Sequence, residues 1–169
     1  MAPGDETCVV EIAGLPAATV TLVVTASGAI TDAGALSVGG NTAITAGAGN
    51  NVTLNNANDF IGSVGIVSAN NVALNDTNAL DLAAATVSGN MAVTTAGALT
   101  DSGALAVTGT TVITAGAGNN VTLNNANDFT GSVGIVSANN VALNDTNALD
   151  LAASTVSGEL SVTTAGAGT

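Results

Sequence analysis

The sequence predicts an all-β fold, a right-handed parallel β-helix (β-solenoid) of about 20–23 residues per coil with a 69-residue super-repeat. Three observations carry this reading. Residues 28–90 align with 97–159 without a gap, and 54 of the 63 aligned positions are identical. A shorter period lies inside the long one: NNVTLN at Asn50–Asn55 returns as NNVALN at Asn70–Asn75, 20 residues on. Apolar residues also alternate with small polar ones in short runs, as in Val52/Leu54, Val64/Ile66, Val72/Leu74, Leu80/Leu82 and Leu105/Val107. Period two with β-branched side chains marks strands with one buried face.

Each element follows from these patterns. Gly, Asn, Asp, Ser and Thr between the runs supply turns. No 3.6-residue period persists; DTNALDLAAATV at Asp76–Val87 is helical in composition, but it alternates and reads as strand. Identical side chains on successive coils, about 4.8 Å apart, then form ladders. Val52, Leu54, Val72 and Leu74 are expected inside, with Val121, Leu123, Val141 and Leu143 as their copies, and Asn residues are expected to bond along the turns. A 69-residue unit reads as three coils, the last widened to about 30 residues by Gly-rich insertions, or as four of about 17. Three coils would separate Phe60 from Phe129 by about 14 Å along the axis, four by about 19 Å.

Residues 1–21 do not match the repeat and hold both prolines, Pro3 and Pro16, which suits an N-terminal cap over an open sheet edge. The repeats occupy 22–169, as 22–90, 91–159 and a partial 160–169 that stops in mid-unit and reads as a cut.

Composition narrows the function. The 169 residues include no Lys, Arg, His, Trp or Tyr, and twelve carboxylates give a formal charge of -12. Nucleic-acid binding needs basic residues to displace counterions from phosphate, and attraction to an anionic membrane needs them too. No apolar run approaches the roughly 18 residues of a membrane helix, so membrane insertion is not expected. Cys8, the single cysteine, sits among apolar residues and reads as a buried, inert thiol. The N-terminus lacks the basic and apolar regions of a signal peptide.

Catalysis finds little to work with, because only carboxylates, hydroxyls and one thiol are present. The close carboxylate pair is Asp76 and Asp81, repeated as Asp145 and Asp150; both pairs are expected as solvated turn residues. With Asp32/Asp101 and Asp59/Asp128 they offer the hard oxygen ligands that suit Ca²⁺. The calcium-solenoid nonapeptide is absent, and GAGNN has Asn where it needs Asp. TAGAGNN, at Thr45–Asn51 and Thr114–Asn120, lacks the GK[ST] of a phosphate loop. No catalytic, cofactor-binding or metal residue is assigned, no cofactor is expected, and the chain is not read as an enzyme. Stacked carboxylates without cations should repel, raise one another's pKa, and make the fold more stable on acidification.

Units such as GALTDSGALAVTGTTVITAGAGNNVTLNNANDFTGSV resemble the repeats of filamentous-haemagglutinin-type exoproteins, also called β-strand-repeat proteins, over about residues 22–169. The resemblance implies a long right-handed β-helix secreted across the outer membrane of Gram-negative bacteria, acting at the cell surface as an adhesin. The expected role is a structural shaft that extends or presents a binding region, with host-surface contact or self-association through solenoid ends or edges. Two other roles are open: an engineered or self-assembling scaffold, suggested by the near-identical copies, and a solenoid that binds ice or glycan. Ice binding needs evenly spaced Thr, and Thr45, Thr53, Thr94 and Thr95 show no constant spacing.

Overall fold

The alternating runs become strands, and the strands pair only in parallel with runs about 20 residues away, as a computed structural model shows for residues 8–10 and 20–166. In chain order the strands are β1 (Cys8–Val10), β2 (Leu22–Thr25), β3 (Ile30–Asp32), β4 (Ser37–Val38), β5 (Thr42–Thr45), β6 (Val52–Phe60), β7 (Val64–Ala69), β8 (Val72–Asp76) and β9 (Leu80–Val87). They continue as β10 (Met91–Thr95), β11 (Leu99–Asp101), β12 (Leu105–Val107), β13 (Thr111–Thr114), β14 (Val121–Phe129), β15 (Val133–Ser137), β16 (Val141–Asp145) and β17 (Leu160–Thr164). No helix occurs among the described residues. DTNALDLAAATV supplies β9, so period two outweighs its Ala and Leu content. The assignment of 1–21 as a cap lies largely outside the described residues. Within it, the backbone of β1 pairs in parallel with β3, Cys8 opposite Ile30; the Cys8 side chain lies outside them too.

Two sheets form. The first runs β1-β3-β6-β8-β10-β13-β15 with β4 attached to β6; the second runs β2-β5-β7-β9-β11-β14-β16-β17 with β12 attached to β9 and β14. The chain therefore visits the sheets alternately, one half-turn at a time, and successive visits to a sheet are about 20 residues apart. Seven half-turns make one super-repeat: they begin at Leu22, Ile30, Thr42, Val52, Val64, Val72 and Leu80, before Met91 starts the next unit.

Seven is odd, and this corrects both coil counts expected from the sequence. A unit spans three and a half coils, so consecutive units present the same residues from opposite sheets. Leu22 ladders with Thr42 in the second sheet, whereas its equivalent Met91 ladders with Thr111 in the first. Phe60 lies on β6 of the first sheet and Phe129 on β14 of the second. The copies are thus related by half a rotation and an axial advance of about 17 Å at β spacing.

Long half-turns bury four side chains, as Val52, Leu54, Asn58 and Phe60, and short ones three, as Val64, Ile66 and Ala69. The expected interior ladders are present: Val52 pairs Val72, Leu54 pairs Leu74, Val121 pairs Val141 and Leu123 pairs Leu143, all buried. Outside, the turns carry the expected Asn ladder. Asn71 N donates to Asn51 Oδ1 (3.1 Å), Asn90 N to Asn71 Oδ1 (2.9 Å) and Thr110 N to Asn90 Oδ1 (2.9 Å). These bonds tie each coil to the next where the sheets end.

At another corner the backbones come closer than a side chain permits. A Cβ at Gly62 would lie 2.4 Å from the carbonyl carbon and oxygen of Gly40 in the preceding coil; at Gly131 it would lie 2.3 Å from the Gly109 oxygen. Backbone cannot swing aside as a flexible side chain would. Gly62→Ala should therefore cost about 1–3 kcal/mol, the range for forced overpacking. Gly34→Ala, where nothing lies within 4 Å, should cost well under 1 kcal/mol on the same scale. Urea melts of the two variants check this, and equal losses would rule out the tight corner.

Candidate functional site

The parity of a strand decides where each carboxylate goes. Asp76 follows Val72 and Leu74 at period two, so it continues their face inward, as do Asp32 after Ile30, Asp101 after Leu99 and Asp145 after Leu143. All four are buried, and Asp76 and Asp145 are each only 1% exposed. The expectation of solvated turn residues is overturned for Asp76 and Asp145, and Asp32 and Asp101 are interior as well. Burial of the flanking apolar residues fixes the pleat, and turn propensity yields to it. Asp59 and Asp81 fall out of phase, on the outer face, as do Asp128 and Asp150. Asp81 Oδ1 accepts the Thr100 hydroxyl there (3.2 Å), and Asp59 takes the Asn78 amide. The Asp76/Asp81 and Asp145/Asp150 pairs are therefore divided between interior and exterior. They do not face one another as an acid–base pair must.

What the interior carboxylates meet is amide. Asn58, fully buried, accepts from Leu36 N through Oδ1 (2.8 Å) and donates through Nδ2 to Asp32 Oδ2 (2.9 Å). Asp32 Oδ2 also accepts Asn56 N (3.1 Å). The second unit repeats this: Leu105 N to Asn127 Oδ1 (2.8 Å), Asn127 Nδ2 to Asp101 Oδ2 (2.8 Å), and Asn125 N to Asp101 Oδ2 (3.2 Å). Asn58 and Asn127 were not singled out from the sequence, although the period-two phase with Phe60 and Phe129 marks both as inward. The networks sit where the ladder register slips, between Leu54 and Asn58 and between Leu123 and Asn127. They satisfy backbone groups that the irregular corner frees from the sheet.

Asp76 is treated differently. Its Oδ1 accepts Phe60 N (3.0 Å), while its buried Oδ2 has no partner; Asp145 repeats both features, with Phe129 N at 3.0 Å. Burial pushes the Asp76 carboxyl above its ordinary value of 3.8, and the neighbouring Asp59 charge pushes the same way. The raised value thus comes first from desolvation, with the expected repulsion between carboxylates second. No group of three or more His, Cys, Asp or Glu able to hold a metal occurs among the described residues.

Outside, one shallow depression of about 370 Å³ runs along the first sheet, with Asn51, Asn71 and Asn90 as its wall and Thr53, Ala73 and Ala92 in its floor. The equivalent residues Asn120, Asn140, Thr122 and Ala142 line a second, of about 160 Å³, on the opposite sheet. The outer face of the first sheet offers no even Thr array: register positions there run Thr31, Thr53, Ala73, Ala92 and Val112. Neither depression contains an aromatic ring on which a sugar could stack.

Searches of curated proteins and of solved structures give no match. The family model described as Repeats of unknown function (DUF5649) matches residues 10–67, 69–136 and 138–168. The second and third matches begin 69 residues apart, at 69 and 138, which is the super-repeat read from the sequence and seen in the coils. These three tandem matches cover most of the chain, and it belongs to the family of repeats of unknown function (DUF5649).

Proposed function

We propose that this chain is a length of structural shaft in a secreted bacterial surface adhesin, extending or presenting a binding region carried elsewhere. The observation that supports this most is the continuous parallel pairing from β3 to β17, in which the strand ladders join adjacent coils and each further coil adds length. The resemblance to filamentous-haemagglutinin-type repeats points the same way. In this reading the protein works outside the cell, carries out no catalysis, and neither binds nucleic acid nor inserts in a membrane.

The test is in two parts. Chains of two, four and six units should lengthen by about 17 Å per unit in small-angle scattering, at constant cross-section. Removing units from the full-length surface protein should reduce attachment to host cells, while the isolated repeats bind none. Isolated repeats that attach by themselves, or unit deletions that leave attachment unchanged, overturn the shaft reading.

A further inference from the structure

We propose that Asp76 is an internal proton-binding site: the folded coils hold it as the neutral acid, and its ionisation at higher pH loosens the β6–β8–β10 stack. The site is shaped for an uncharged group. Asn58, its register partner one coil before, uses the same geometry, with Oδ1 accepting a backbone N–H from the preceding coil. Its second polar atom is an amide nitrogen, and Asp32 is there to receive it. In Asp76 the corresponding atom is the orphan Oδ2. Two residues into its ladder the preceding coil has Leu54, where the coil before that has Asp32. Thr95, the register partner on the other side, turns its hydroxyl to Gly97 O (2.7 Å).

No charge compensates an ionised Asp76. On the strands packed with β8, Asp59 of β6 is a like charge, and β10 carries no titratable group. Across the interior, β7 has none, and Asp81 of β9 faces outward on Thr100. The chain has no Lys, Arg or His anywhere. The N–H groups of Phe60, Thr77 and Asn78 oppose the effect of burial, but only the first is within hydrogen-bonding geometry. An isolated buried carboxylate left ionised costs far more than a neutral one, so the fold takes up the proton.

The sign of the linkage follows. With the folded pKa above the unfolded one, the contribution to stability is complete below about 3.9, and it is lost as pH rises through the folded value. The ¹³C shift of the Asp76 carboxyl, followed against pH in the parent chain, should show a midpoint above 3.8. Each unit of elevation corresponds to a tenfold rise in the unfolding constant on the alkaline side. Asp76→Asn keeps the acceptor for Phe60 N and cannot ionise, so its urea midpoint should exceed the parent's at about pH 8 and converge with it near pH 4. Asp81→Asn, on the outer face, should run parallel to the parent. A carboxyl midpoint at or below the ordinary value, or an Asp76→Asn curve parallel to the parent's, overturns the proposal.

Discussion

Leu74→Asp is expected to abolish cooperative folding of the coils on either side of it. Leu74 is 3% exposed and stacks between Leu54 and Val93. Removing its side chain alone costs about 2–5 kcal/mol, as for other core Leu truncations. The carboxylate adds a desolvation cost, and nothing basic exists in the chain to offset it. Together these approach the whole stability of an ordinary domain, about 5–15 kcal/mol. A solenoid packs only neighbour on neighbour, so the damage should be local: coils around β8 open while β14 to β16 stay protected. Hydrogen exchange resolves the two regions, and proteolysis can too, with an enzyme that cuts beside Leu or Phe, since trypsin finds no Lys or Arg. Leu74→Met keeps the volume and should cost under about 1.5 kcal/mol. A Leu74→Asp chain as protected as the parent would mean the residue is not interior.

The interior ladders were legible because parity and apolar character agree from coil to coil. Val52, Leu54, Val72 and Leu74 each repeat both residue type and phase, and a single register buries all of them. The half-integral repeat was not legible in the same way. Both sheets accept NNVxLN equally, since each needs only one inward apolar face and an Asn at the turn. The 30 residues from Met91 to Val121 look like one swollen coil until Leu99 and Thr111 are each given a half-turn; then they become a coil and a half. The alternation at Thr111 and Ile113 was the available signal.

Turn propensity hid the carboxylates. Asp is common in turns, and Asp76 does precede one, but its distance from Leu74 is two residues and not one. Parity separates Asp32, Asp76, Asp101 and Asp145, inside, from Asp59, Asp81, Asp128 and Asp150, which are not buried. No pattern of residue types reveals which inward polar group finds a partner. That depends on the register slip after Leu54, which brings Asn58 under Leu36 N and beside Asp32.

Asn58→Asp tests that arrangement with a change of one atom. The introduced carboxyl keeps an acceptor for Leu36 N, now 2.8 Å away, but replaces the donor that faces Asp32 Oδ2 at 2.9 Å by a second oxygen. Two ionised carboxylates cannot share that distance in a buried site; one must take a proton and donate it to the other, as a dyad does. At neutral pH the variant should lose several kcal/mol, because folding must either hold two charges or draw a proton from dilute solution. Asn58→Ala leaves Leu36 N and one Asp32 bond unmade, at about 1–3 kcal/mol for each unsatisfied group. The two variants differ in their response to acid. The shared proton raises the folded pKa of the dyad above the unfolded carboxylates, so stability returns as pH falls through that value. Asn58→Ala gains no comparable recovery. Urea midpoints at about pH 7.5 and pH 4.5 distinguish them. If Asn58→Asp stays within about 0.5 kcal/mol of the parent at the higher pH, the change falls in the range of an ordinary surface substitution and the Asn58–Asp32 contact is not made in solution.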